Sequence, residues 1–251
     1  MGVSVTQRIS KISQPRGGYL KPKDFERIEL TNNNALFAEE NIHSSLVGLA
    51  VDYLTRFMLN KNVEKSFAIS LQGANLGNFG KIADKFLTKI KGLDDQSIIY
   101  ACKLAGFDVI YRAGLMGYKP VDEINPDEKT IFNIREMVSR SLAFFQKYGP
   151  IVIDGFTFEG GYSSTVSTGD GDFLTEDTLW DFKVSTKEPT NKHTLQLLMY
   201  YIMGLHSKHK YFQNIKKIAI YNPRLNVVYI KPLDEISIDI INEIEKDVIC
   251  Y

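Results

Sequence analysis

The chain is poor in cysteine. Its 251 residues hold two, Cys102 and Cys250. That is too few for a disulfide framework, a four-cysteine zinc site or an iron–sulfur cluster. Cys102 lies in an apolar run and reads as a small core residue. Net charge is lacking as well, since 30 Lys+Arg balance 30 Asp+Glu. A strongly basic coat for nonspecific nucleic-acid binding is therefore excluded, although local basic patches are left open. No apolar run approaches the ~20 residues that a membrane-spanning helix needs, so no membrane partner is expected. The opening Met-Gly-Val-Ser-Val-Thr-Gln-Arg lacks the apolar core of a signal peptide. Its match to a myristoylation pattern, through Thr6, is loose. The expectation is a soluble, cytoplasmic chain. No internal repeat is evident, and oligomeric state is unreadable.

What is present is an ordinary globular composition, 44% hydrophobic and 24% charged, long enough for one large domain or two small ones. Residues 1–40 carry Pro15, Gly17, Gly18 and Pro22 with the cations Arg8, Lys11, Arg16, Lys21 and Lys23. They read as an N-terminal arm, extended and solvated, with a short strand at 26–30. A backbone-contacting arm is the minority alternative. Helical spacing then runs over 43–60, 79–90, 95–111 and 128–148, the last closed by Gly149-Pro150. After Pro150 the pattern turns β-rich: strands over 151–158, 167–174 and 178–185, a helix over 192–205, a hairpin of 217–221 and 227–231, and a last helix over 237–248. This order predicts one α/β layered domain over 41–251, with 61–149 as a helical insertion and 150–231 as the core.

The chemistry concentrates between Gly169 and Tyr200. In a strand, residues two apart face the same side. Asp181 and Lys183 therefore share a face with Leu179, while Trp180, Phe182 and Val184 share the other. The bulk of the second face assigns it to the core and turns Asp181 and Lys183 toward a cleft or a covered surface. If the strand holding Asp172 pairs with this one through the turn at 175–178, Asp172 lies beside or diagonal to Asp181. Two carboxylates, the main-chain carbonyl of Phe182 and waters suit a hard Mg²⁺ ion, with Mn²⁺ as substitute. Such an ion would polarise a phosphate and activate water. Lys183 would steady that water or the charge on the pentacovalent phosphate. Gln196 and Tyr200 follow four apart on one helix face, with Leu195, Leu198, Met199 and Ile202 free to fill the core side. An Asp-x-Lys alone is a weak signal, because surface strands often alternate charge. Its conjunction with Asp172 and the Gln–Tyr helix is stronger.

Gly169-x-x-Asp172, Asp181-x-Lys183 and Gln196-x-x-x-Tyr200 together resemble the signature of the PD-(D/E)XK nuclease superfamily, and the Gln-x-x-x-Tyr helix resembles its RecB-like branch. The resemblance covers about residues 150–231. It implies a restriction-endonuclease-like core, a central mixed sheet flanked by helices, and a Mg²⁺-dependent deoxyribonuclease. The two acids would bind metal, the lysine would assist catalysis, and the glutamine and tyrosine would support substrate and site geometry. The family adds an acid on a helix before the first core strand. Asp52 is the choice here, with Asp108, Glu136 and Glu159 as competitors and an Asp52–Arg56 surface pair as the structural alternative. His43 resembles a histidine that some relatives place before this acid, but suits a polar helix start. The branch members that carry an iron–sulfur cluster use four cysteines, which this chain does not have. DNA is the expected partner, single- or double-stranded, with RNA possible. The alternative is a catalytically inactive nuclease-fold protein that binds nucleic acid or a protein partner.

Other signals carry less. Gly73, Gly77 and Gly80-Lys81 fail as a phosphate loop, which needs glycine at Asn75 and Ser or Thr at Ile82. His193, His206 and His209 lack zinc-like spacing. His206 and His209, with Lys208 and Lys210, read as a solvated helix end able to touch phosphates.

Overall fold

The computed structural model describes residues 2–31 and 34–251. In chain order its elements begin with β1 (Val3–Ser4), α1 (Val5–Lys11) and β2 (Glu26–Glu29). Seven helices follow: α2 (Ser44–Asn60), α3 (Val63–Ser66), α4 (Ala68–Leu76), α5 (Gly80–Leu87), α6 (Asp95–Ala105), α7 (Asp108–Ala113) and α8 (Glu128–Tyr148). Then come β3 (Ile153–Phe156), β4 (Val166–Thr168), β5 (Gly171–Leu174), β6 (Thr178–Phe182), α9 (Asn191–His206), β7 (Lys217–Asn222), β8 (Val227–Pro232) and α10 (Ile238–Glu243). A π-helical turn over Ile244–Ile249 continues α10.

These elements form two compact units. One holds residues 31–144 and is helical; the other holds 1–30 and 145–251 and contains every sheet among the described residues. The architecture is α/β, with a six-stranded mixed sheet flanked by helices. Among the described residues no helix is long and apolar enough to cross a membrane.

In the sheet-bearing unit the strand order is β2-β8-β7-β6-β5-β3. Only β6 and β7 run parallel among these neighbours. Parallel neighbours cannot be joined by a tight turn and need a crossover, here α9. That crossover lays α9 on one sheet face. Leu195, Leu198, Met199 and Ile202 bury there against Leu174, Leu179, Ile218 and Ile220. The other face is covered by rings. Trp180 stacks on Phe173, with centroids 6.1 Å apart, and the end of α8 adds Phe145 against Phe173 and Tyr148 against Trp180. Trp180 Nε1 donates to Thr175 Oγ1 at 2.9 Å, so the indole is buried without an orphaned donor.

The N-terminal segment departs from a solvated arm. Ser4 and Gln7 form a capping box that starts α1. Val5 and Ile9, one turn apart, are buried in the same core as α9, as are Leu20 and Phe25. Arg8 donates to the carbonyls of Val248 (2.8 Å) and Asp247 (3.0 Å), groups that a helix end leaves unpaired. The short strand expected at 26–30 is β2, which completes the sheet edge against β8.

Three boundaries also shift. The helix expected over 95–111 is two, α6 and α7, divided at Gly106, where a Cβ would meet Ile124 Cδ1 at 2.5 Å. The strand expected over 167–174 is two, and β4 pairs with β1 outside the main sheet. Of the glycine-rich stretch, Gly73 lies inside α4 and Gly80 opens α5, and the Gly73 backbone packs so close to the Phe107 carbonyl that a Cβ would lie 2.1 Å from it.

Candidate active site

β5 and β6 pair antiparallel with Phe173 opposite Trp180 and Leu174 opposite Leu179. Continued by one residue, that register sets Asp172 opposite Asp181. Both carboxylates therefore leave the sheet on the α9 face, together with Leu174 and Leu179. Asp172 Oδ2 accepts the Phe182 amide hydrogen at 2.6 Å, so this acid crosses the strand pair and ties its open end. The Lys183 backbone then passes to β7, donating to the Tyr221 carbonyl at 2.9 Å.

Strand parity holds for Asp181 and Lys183. Lys183 Nζ donates to Asp181 Oδ1 at 2.9 Å. The Trp180 face is core, as its bulk implies, and the Asp181 face is covered as well. Leu179, on the Asp181 side, is wholly buried beneath α9, and Asp181 itself is only 3% exposed. A central strand between layers on both sides is covered on both faces.

Asp181 Oδ2 is buried and has no hydrogen-bond partner. A buried carboxylate oxygen without a donor is costly. Its neighbours supply cationic and polar groups instead. Burial pulls the Lys183 pKa down, but the carboxylates of Asp181, Asp172 and Asp170 outweigh it, and the net shift is upward. Lys183 is therefore an ammonium throughout the neutral range.

Gln196 and Tyr200 sit on α9 above this group, both nine-tenths buried or more. Gln196 Nε2 donates to the Tyr200 hydroxyl oxygen at 2.7 Å. Burial raises the Tyr200 pKa. The Gln196 bond opposes that shift, and the charges of Asp181, Asp172 and Asp170 add to it. The phenol therefore keeps its proton and can donate it onward in a hydrogen bond.

Two residues near this group escaped the sequence reading. Asp170 is exposed, but its charge reaches both Lys183 and Tyr200; the doubled Gly-Asp of 169–172 was its only signal. His193 sits in the first turn of α9, where its Nδ1 accepts the Thr190 amide at 3.1 Å. In the neutral ring the proton is then on Nε2. Its pKa is lowered by burial and by the Lys183 ammonium, against the pull of Asp181. A histidine three residues before Gln196 shares a helix face with it, a signal passed over for want of a zinc pattern.

Each candidate for a further acid has partners of its own. Asp52 belongs to the helical unit, where its Oδ1 accepts from Arg56 Nε at 2.8 Å. Asp108 is buried in the same unit, bonded by Ser70 (2.5 Å) and Tyr53 (2.5 Å), with Arg112 at 3.6 Å. Burial raises its pKa against those bonds. Glu136 accepts from Asn34 Nδ2 at 2.9 Å, with Arg140 Nε at 3.8 Å. Glu159 lies in the sheet-bearing unit but bonds Thr157 and His209. His43 caps α2, its Nδ1 accepting the Ser45 amide at 3.3 Å. Among the described residues, no group of three or more His, Cys, Asp or Glu side chains is arranged to hold a metal ion. His206 and His209 pair with Glu245 and Glu159 rather than standing as a free basic end.

No family model, curated protein or solved structure matches this chain.

Proposed function

We propose that this chain is a Mg²⁺-dependent nuclease that hydrolyses DNA phosphodiester bonds on a restriction-endonuclease-like core. The observation that carries the reading is the Asp181 carboxylate: one oxygen is held by Lys183, the other is buried without a donor, and Asp172 stands across the strand pair. The donor set fits a hard divalent cation, whose preference is for carboxylate oxygens. Asp172, Asp181 and the Phe182 carbonyl would hold it, with water completing the shell. When bound, the ion would lower the pKa of a water and offset charge on the scissile phosphate.

The chain's own residues supply the rest. Lys183 serves as a fixed positive charge rather than a base, because its raised pKa keeps it protonated. That charge favours the extra negative charge of the pentacovalent transition state. Gln196 orients the Tyr200 hydroxyl, and the protonated phenol presents a donor toward the same anionic group. Neutral His193, whose Nδ1 is taken up by the Thr190 amide, carries its proton on Nε2 and would offer a further hydrogen-bond donor there.

The test is digestion of supercoiled and linear DNA with Mg²⁺ or Mn²⁺. Wild type should cleave, and Lys183→Ala and Asp172→Ala should each lose about 10²–10³ in rate, the scale for removing one preorganised electrostatic group. Equal activity in all three proteins overturns the assignment. One observation favours a second reading, a nuclease-like scaffold that only binds: no third acid joins Asp172 and Asp181 in a metal-holding group among the described residues. A scaffold of that kind would show no rise in melting temperature with Mn²⁺, whereas a site for the ion must be stabilised by it.

A further inference from the structure

A second feature of the sheet-bearing unit is a cavity of ≈ 590 Å³ on the side of the β2–β8 edge. That volume lies in the range of ~300–1,000 Å³ that takes a small ligand. One wall is the segment leaving Lys183, through Glu188 and Pro189, on its way to α9. The opposite wall is the N-terminal segment, with Lys21 and Lys23. Phe25 and Arg27, from the N-terminal segment and β2, and Tyr229 of β8 complete it. The wall is fixed to α9: Thr194 Oγ1 donates to the Leu20 carbonyl at 2.6 Å, and Gln14 Nε2 to that of Asn191 at 3.3 Å.

Two independent observations point to a ligand. The first is charge: the lining carries Lys21, Lys23 and Arg27 against one acid, Glu188, while Glu29 pairs with Arg27 from outside the lining at 2.5 Å. The second is Tyr229. It is 4% exposed, and its hydroxyl is buried with no hydrogen-bond partner. Burial raises its pKa, the nearby Arg27 opposes that and Glu188 adds to it, so the hydroxyl keeps its proton and remains a donor. Arg27 and Glu188 lie over it. They meet at 3.3 Å with side chains 42% and 65% exposed, a solvent-screened contact that an anion can displace. An anion that draws Arg27 away from Glu188 uncovers the hydroxyl and gives it an acceptor.

We propose that this pocket takes one unpaired nucleotide of a single DNA strand, with its phosphate on Lys21, Lys23 and Arg27 and its base over Phe25 beside the Tyr229 hydroxyl. A base held in a duplex stack cannot enter such a recess, whereas a single strand offers both a free base and a mobile phosphate. The choice of DNA rests on the nuclease reading; the cavity, its charge and the orphaned hydroxyl do not. Because one wall continues directly into Lys183, the pocket would fix the register of a strand entering the Asp172–Asp181–Lys183 site.

The test is fluorescence anisotropy of the full chain with labelled dodecathymidylate and with a duplex of equal length, in EDTA so that no metal-dependent cleavage occurs. The single strand should bind more tightly than the duplex. Glu188→Gln should tighten single-strand binding, and Tyr229→Phe should weaken it by about 2–10-fold, the effect of one net hydrogen bond. A Lys21→Ala/Lys23→Ala double variant, both sites being exposed and safe for folding, should flatten the dependence of log K on log salt by about 1.4. A duplex bound as tightly as the single strand, or an unchanged salt slope in the double variant, overturns the proposal. Failure here with plasmid cleavage intact removes the pocket and leaves the nuclease. The expected binding pattern without cleavage removes the nuclease and leaves the pocket.

Discussion

Lys183 and Asp181 form an ion pair at 2.9 Å in which one partner is 30% exposed along its side chain and the other 4%. The asymmetry has a consequence for stability. Removing the lysine leaves a buried carboxylate with neither oxygen paired, whereas removing the aspartate leaves an ammonium that can still reach water.

Lys183→Met should therefore destabilise the protein more than Asp181→Asn. Losing one partner of a buried pair costs about 3–5 kcal/mol, and the partial exposure of Lys183 moves the expectation to the lower end. For a chain of this size each kcal/mol moves the melting temperature by about 2–4 °C. A raised lysine pKa gives a contribution that is complete below the ordinary value of 10.5 and is lost only as pH rises through the folded value. The gap between wild type and Lys183→Met should thus stay constant from pH 6 to 9 and close only in stronger alkali. Melting curves across that range check it; a gap that closes near pH 7 contradicts the pairing.

The Gln196–Tyr200 bond is buried and at 2.7 Å, so its two ends should not be independent. Tyr200→Phe leaves the Gln196 amide without its acceptor, at about 1–3 kcal/mol for an unsatisfied buried group. Gln196→Leu leaves the phenol without that donor but still near the carboxylates. The double variant should be more stable than the sum of the singles predicts, by 0.5 kcal/mol or more on the scale of about 0.5–3 for coupled neighbours. Denaturant unfolding of the four proteins measures this coupling, and strict additivity would mean that the bond contributes nothing.

The site was legible in the sequence where a period decides orientation. Alternation along β6 paired Asp181 with Lys183, and the four-residue step along α9 paired Gln196 with Tyr200. The long amphipathic run of α8 and the β7–β8 hairpin were legible for the same reason. What period cannot carry was missed. The seven residues of α1 are too few for a helical pattern to stand out; a capping box and the pair Val5 and Ile9 were the only marks of it. That the Asp181 face of β6 is buried as deeply as the Trp180 face depends on α9 crossing over the sheet, a tertiary fact. Likewise the β4–β5 break at Gly169-Asp170 depends on β1 drawing β4 away. His193 and Asp170 belong near the site through their charges on Lys183 and Tyr200, which no spacing rule encodes.

Glu159 and His209 meet at 2.8 Å at the surface of the sheet-bearing unit. The His209 bond, with a further bond from Thr157, lowers the Glu159 pKa from 4.5 to about 2. A depressed carboxylate adds stability that is present above its unfolded pKa and is lost as pH falls through the folded one. The window here is therefore between pH 4.5 and about 2. His209→Ala should move the Glu159 carboxyl titration, followed by carbon NMR, upward toward the ordinary glutamate value, and Thr157→Val should move it by less. The stability difference between wild type and His209→Ala should shrink as the solution is acidified through that window. Because both side chains are substantially exposed, 150 mM salt should reduce the effect and 1 M should nearly abolish its through-space part. A Glu159 midpoint that stays near 2 in His209→Ala would assign the shift to Thr157 and the local backbone instead.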